Sequence, residues 1–149
     1  MMIQSFEIPF RLPGLNEINC SNRTNRYVGA KLKSETDTAL AYVIAGAKIQ
    51  PVQQPCIVHM VFFEPNRRRD ADNVESAKKF ILDALVHCGV LQNDTPRHVV
   101  GSPSFTRYVE DGARVVVTII ESADAETLLK RMRNASDVIV EGESNGRMA

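Results

Sequence analysis

Asp70 and Asp72 stand one residue apart, directly after Arg67-Arg68-Arg69 and at the head of a stretch with helical periodicity. Two carboxylates at that spacing offer oxygen ligands to a hard divalent cation. Magnesium takes few protein ligands and keeps several waters, which leaves positions for phosphate oxygens. One ion, or two about 4 Å apart, can activate a water and offset charge on a leaving oxygen. From Asp72 the periodicity predicts a helix to Cys88, ended by Gly89 as a natural C′ residue. At about 100° per residue, Val74, Ala77, Phe80, Ile81, Ala84, Leu85 and Cys88 share one broad apolar face. Asp72, Ser76, Lys79 and Asp83 fall within about 60° of each other on the opposite face. Lys78 lies at the margin of the apolar face and is expected to snorkel outward. Asp94, in the polar turn Gln92-Asn93-Asp94-Thr95, can fold back over the polar stripe. Lys79 would then place a cation near a scissile phosphate.

Each of these residues also has a purely structural use. Asp72 with Glu75 three residues later makes a capping box. Lys79 and Asp83 at i, i+4 make a surface ion pair worth well under ~1 kcal/mol. An Asn-Asp pair is common in turns. His59, inside an apolar strand, reads as a hydrogen-bonded core residue rather than a ligand, and His87 and His98 as surface residues.

The run RRRDADN, Lys79-Phe80-Ile81-Leu82-Asp83-Ala84-Leu85 and the late Gly89 and Asp94 together resemble the signature of the RusA family of Holliday-junction resolvases. That signature is a basic run, D-x-D-N, a lysine four residues before an Asp-Ala-Leu, then a glycine and a late aspartate. The stretch FEIPFRLPGLN, with Pro13 and Asn16, is similar to the family's opening strand and turn, and Tyr27, Lys31 and Lys33 to its basic segment. The likeness spans roughly residues 5–120. It implies magnesium held by Asp70, Asp72 and Asp94, with manganese as a substitute, cleavage assisted by Lys79, and Asn73 and Asp83 in support. It also implies a homodimer. Arg67, Arg68, Arg69, Asn16, Arg23, Arg26, Lys31 and Lys33 would read the DNA backbone. Two departures stand out. Lys79 follows Asn73 by six residues where the family often has three, so Lys78 is the alternative lysine. Asn93 replaces the first of two adjacent acids.

The elements needed to position these residues are legible around them. Ile3 to Ile8 reads as a strand ended by Pro9 and Pro13, and residues 14–33 as a long basic loop. A helix is expected from Ser34, with Leu40, Val43, Ile44 and Ala47 in step, closed by Pro51 and Pro55. Cys56 to Phe63 is apolar on both faces, a buried central strand. A short strand within 97–107, a firm one over Arg114 to Ile120, and an amphipathic helix over 123–134 follow. The order β-α-β-α-β-β predicts an α/β (α+β) domain, a small mixed sheet packed on two main helices, over residues 1–122. Residues 123–149 add a C-terminal helix and a loosely ordered tail.

Composition agrees with one globular domain: 149 residues, 44% hydrophobic and 24% charged. No apolar run approaches a membrane span and the N-terminus lacks a secretory pattern, so a cytoplasmic setting is expected, bacterial or in a phage-infected host. Cys20, Cys56 and Cys88 are far apart and read as reduced thiols. The net charge is zero, but Arg11, Arg23, Arg26, Lys31 and Lys33 face only Glu17 within residues 11–33. A local basic surface suffices for DNA, because the attraction is screened within about 10 Å. The expected activity is a structure-selective endodeoxyribonuclease that resolves four-way junctions by paired nicks. The alternatives are a nuclease for flaps or forks, or a non-catalytic branched-DNA-binding protein on the same scaffold.

Overall fold

The computed structural model of the chain describes residues 1–14, 26–65 and 71–135, the side chains at 26 and 71–73 excepted. Asp70, Arg67, Arg68, Arg69, Asn16, Arg23, Cys20 and the C-terminal tail lie outside the described residues. Among those described, the elements run β1 (Met2–Ile8), α1 (Arg26–Ala47), β2 (Cys56–Glu64), α2 (Ala71–His87), β3 (Val99–Gly101), β4 (Ser104–Tyr108), β5 (Arg114–Glu121) and α3 (125–135). The chain is a small mixed α/β fold, a five-stranded mixed sheet with three helices.

The sheet is built around β2. Its residues alternate, with Cys56, Val58, Met60, Phe62 and Glu64 buried on one face and Ile57, His59, Val61 and Phe63 on the other. β5 pairs antiparallel with β2 along one edge and with β1 beyond it. Along the other edge β3 and then β4 pair parallel with β2, at Cys56–Ile57 and at Met60–Glu64. Residues 102–103 interrupt this edge, where the Pro103 carbonyl accepts from Met60 N at 3.0 Å. The single short strand expected within 97–107 is thus two.

β1, β2, β3 and β4 all run the same way, so each of α1 and α2 must return the chain from one end of the sheet to the other. The two crossovers step across the sheet in one direction, which lays both helices on the same face. There Leu40 and Ile44 of α1 and Val74, Ala77, Phe80, Ile81, Ala84 and Leu85 of α2 close the main core over Ile8, Val58, Met60, Phe62, Val115 and Val117. On the other face α3 covers only one corner, through Ala125 and Leu129 against Ile57. An added Cβ at Gly101 would lie 2.6 Å from Leu129 Cδ2, so the bare glycine is what lets Leu129 settle on β3.

Four expectations need correction. α1 begins at Arg26, eight residues before Ser34, so 26–33 is helix rather than loop. Its inner stripe reaches back through Thr36 and Leu32 to Gly29, and Ala30, Lys31, Leu32 and Lys33 are all good helix formers. Arg26, Lys31 and Lys33 are therefore helical, with Lys31 and Lys33 exposed. Cys88 is exposed rather than on the buried face, because the chain leaves helical geometry at Gly89 (φ 78°). Cys56 is the buried thiol; burial, aided by the Glu121 charge, pushes its pKa up to about 11. His59 is not a hydrogen-bonded core residue. Strand alternation turns it to the open face, where its ring lies 5.4 Å from that of Phe105. His98, expected at the surface, is half-buried and shares a 3.1 Å hydrogen bond with the Thr95 hydroxyl.

Candidate active site

The carboxyl ends of parallel strands and the amino ends of the helices that follow them share one end of the sheet, where α/β folds build their sites. Here that end gathers the close of β1, the close of β2 and the first turns of α1 and α2. Asp72 lies in the first turn of α2 and Asp70 immediately precedes that helix. The exposed amides of a helix N-terminus favour anions there, a phosphate among them.

Two groups of described side chains frame this corner. Glu64 is 3% exposed, and its Oε2 accepts from Arg11 Nε at 3.3 Å. The pair ties the segment after β1 to the end of β2, at the roots of the two basic stretches 15–26 and 66–69. Sequence reasoning passed over Glu64. Its signal was there, since counting by two from Cys56 puts this acid on the same face as Val58, Met60 and Phe62.

The second group belongs to α2. Glu75 accepts from Ser104 Oγ at 2.7 Å and from Lys78 Nζ at 2.9 Å. Burial pushes the Glu75 carboxyl up, but the hydrogen bonds from Lys78 and Ser104 and the Lys78 charge outweigh it and hold the pKa below the usual carboxylate range. Lys78 is braced against β4 rather than snorkelling outward, its side chain only 15% exposed. Lys79 points to solvent, 76% exposed, with Asp83 at 3.6 Å. The polar stripe expected from the periodicity is present at Ser76, Lys79 and Asp83, none of which contributes to the apolar core. The two lysines therefore differ in kind. Lys78 is held, and Lys79 is exposed to solvent.

Asp94 is exposed and lies at the other end of the sheet. It belongs to the connection from α2 to β3, and the neighbouring Thr95 carbonyl accepts from His98 and Val99, the latter paired with Cys56 at the start of β2. α2 has 17 residues, so about 25 Å of helix separates its two ends. Asn93 Oδ1 accepts from Asp94 N at 2.8 Å, which gives Asn93 a structural use within this turn. Within one chain, then, the Asp94 turn does not fold back over the start of α2. Among the described residues no three His, Cys, Asp or Glu side chains gather closely enough to hold a metal ion.

No protein-family model matches the chain, and no curated protein matches it. Among the described residues no helix is long and apolar enough to cross a membrane.

Proposed function

We propose that this protein is a magnesium-dependent endodeoxyribonuclease of the RusA type, acting on branched DNA as a homodimer. The observation that carries the reading is the sequence Asp70-x-Asp72 directly after three arginines, followed along α2 by the solvent-facing Lys79 and Asp83. A carboxylate-only donor set, without thiol or imidazole, fits a hard cation that retains water. Asp70 and Asp72 would hold it, and the bound ion would supply activation of water and relief of charge on the leaving oxygen. Lys79 would steady the phosphate charge as it builds. Arg67, Arg68, Arg69 and the exposed Lys31 and Lys33 would bind the backbone by charge and shape, with limited base contact.

The length of α2 adds a requirement. For Asp94 to share a site with Asp70 and Asp72, it must come from a second copy of the chain. A two-fold dimer with antiparallel α2 helices achieves this twice, and its symmetry matches the approximate two-fold of a four-way junction. Paired nicks follow from two such composite sites.

The test is purified protein on a synthetic four-way junction, a flap, a fork and linear duplex, at one salt concentration and with magnesium. The reading predicts symmetric nicks in the junction, and cleavage of linear DNA or RNA alone contradicts it. Asp72→Asn is expected to abolish nicking while leaving junction affinity within about three-fold of wild type, the pattern of a lost metal ligand rather than a lost fold.

A second reading, a branched-DNA-binding protein without catalysis, is favoured by the separation of Asp94 from α2's start and by Asn93 standing where an acid is common. Calorimetry with magnesium separates the two: no specific divalent binding that Asp70→Asn or Asp72→Asn removes would support the second.

A further inference from the structure

A cleft of about 560 Å³ opens at the amino end of β2, between the 52–55 segment and the 91–98 segment that carries Asp94. Its polar lining is Arg97, His98, Gln53, Gln54 and Gln92, with half-buried Pro55 among its apolar walls. Both walls are fixed by bonds that leave these side-chain ends available. Glu121, 7% exposed, accepts from the backbone N of Gln53 at 2.7 Å and of Gln54 at 2.9 Å. Opposite, Cys56 N donates to the His98 carbonyl, and Val52 N to that of Val90. No ion pair engages Arg97 among the described residues, and the three glutamine amides make no side-chain hydrogen bond there. In the tautomer that accepts the Thr95 hydroxyl at Nδ1, His98 carries its ring proton on Nε2, a donor.

We propose that this cleft holds one nucleotide unit of a DNA strand, its phosphate on Arg97 and His98 and its base against Pro55 and the glutamine amides. A guanidinium and an imidazole donor suit a phosphate, and primary amides both donate to and accept from base edges. The volume fits a single unstacked nucleotide rather than a duplex, and a branch point is where unstacked nucleotides occur. This rests on the nuclease reading and deepens it: if Asp94 completes the partner's metal site, the cleft grips the strand next to the phosphate that is cut.

The experiment is amide NMR of the full chain titrated with thymidine 5′-monophosphate and, separately, with a short oligothymidylate. Shifts at residues 53–54, 92 and 97–98 are expected with both probes. Tighter oligonucleotide binding identifies a DNA strand, and equal affinity identifies a free-nucleotide site and overturns the strand assignment. Arg97→Glu should weaken oligonucleotide binding roughly ten-fold and lower its salt slope by about one, as loss of one phosphate contact requires. Gln92→Ala, a milder change, should weaken binding without altering the slope. Shifts confined to other surfaces, or both variants binding as wild type, overturn the proposal. Shifts at the cleft of a protein that cuts no junction would leave the cleft standing and remove the nuclease reading. Junction cleavage undiminished in Arg97→Glu would do the reverse.

Discussion

Lys78 and Lys79 are adjacent in sequence, yet the fold gives them different work. Lys78 Nζ is 2.9 Å from Glu75, and its side chain is largely shielded from solvent. Among the described residues Lys79 meets Asp83 alone, at 3.6 Å, an interaction of little worth to stability. Lys79→Ala should therefore leave thermal stability within about 0.5 kcal/mol of wild type. The same variant should slow junction nicking by about 100-fold, as loss of a charge-stabilising donor does. Single-turnover kinetics beside a melting curve check both halves. Glu75 makes a separate prediction. Its depressed pKa means that the folded state binds the proton less readily than the unfolded chain. That contribution to stability is present above the ordinary carboxylate pKa and is lost as pH falls through the lower folded value. Ser104→Ala removes one of the bonds responsible. Its stability deficit should shrink as pH is lowered past the carboxylate range, and a deficit constant with pH would refute the assignment.

α2 shows how an element can be read from sequence to within one residue at each end, Ala71–His87 against an expected Asp72 to Cys88. Its apolar face, from Val74 to Leu85, is buried as the 3.6-residue period requires. Its end is fixed by two bonds, Gly89 N to the Val86 carbonyl at 3.0 Å and Val90 N to the Leu85 carbonyl at 2.9 Å, the paired bonds of a Schellman cap. Gly89 has φ 78° with open space around its Cα, so Gly89→Ala should cost about 1 kcal/mol through backbone strain alone. Chemical denaturation should show that shift in midpoint with an unchanged slope. α1 was less legible. Asn, Ser and Gly in the preceding sequence suggested loop, while the signals that extend the helix to Arg26 were a glycine, a leucine and a threonine on its inner side. Gly29 and Thr36 are poor helix formers, and only their packing against the core makes them part of the stripe. The split of the edge strand at residues 102–103 was hidden for a similar reason, since pairing partners decide it rather than local propensity.

At the scale of the whole molecule, the parallel arrangement of β1, β2, β3 and β4 decides the argument. It sends the β2-to-α2 connection to one end of the sheet and the α2-to-β3 connection to the other. Sequence motifs supplied the three aspartates but carried no direction, so a turn folding back over α2 looked sufficient. Topology rules that picture out within one chain, and the proposed site is for that reason one shared between two copies. The most direct test mixes two variants, each inactive alone, after subunit exchange: Asp72→Asn and Asp94→Asn. If Asp94 acts on the partner's site, every mixed dimer carries one intact site and one doubly damaged site. A one-to-one mixture should then regain nicking at about a quarter of wild-type sites, as single rather than paired cuts. If the exchanged mixture stays inactive while the wild type cleaves, Asp94 does not complete a partner's site. A wild type that cuts no branched DNA with magnesium or manganese contradicts the nuclease reading itself.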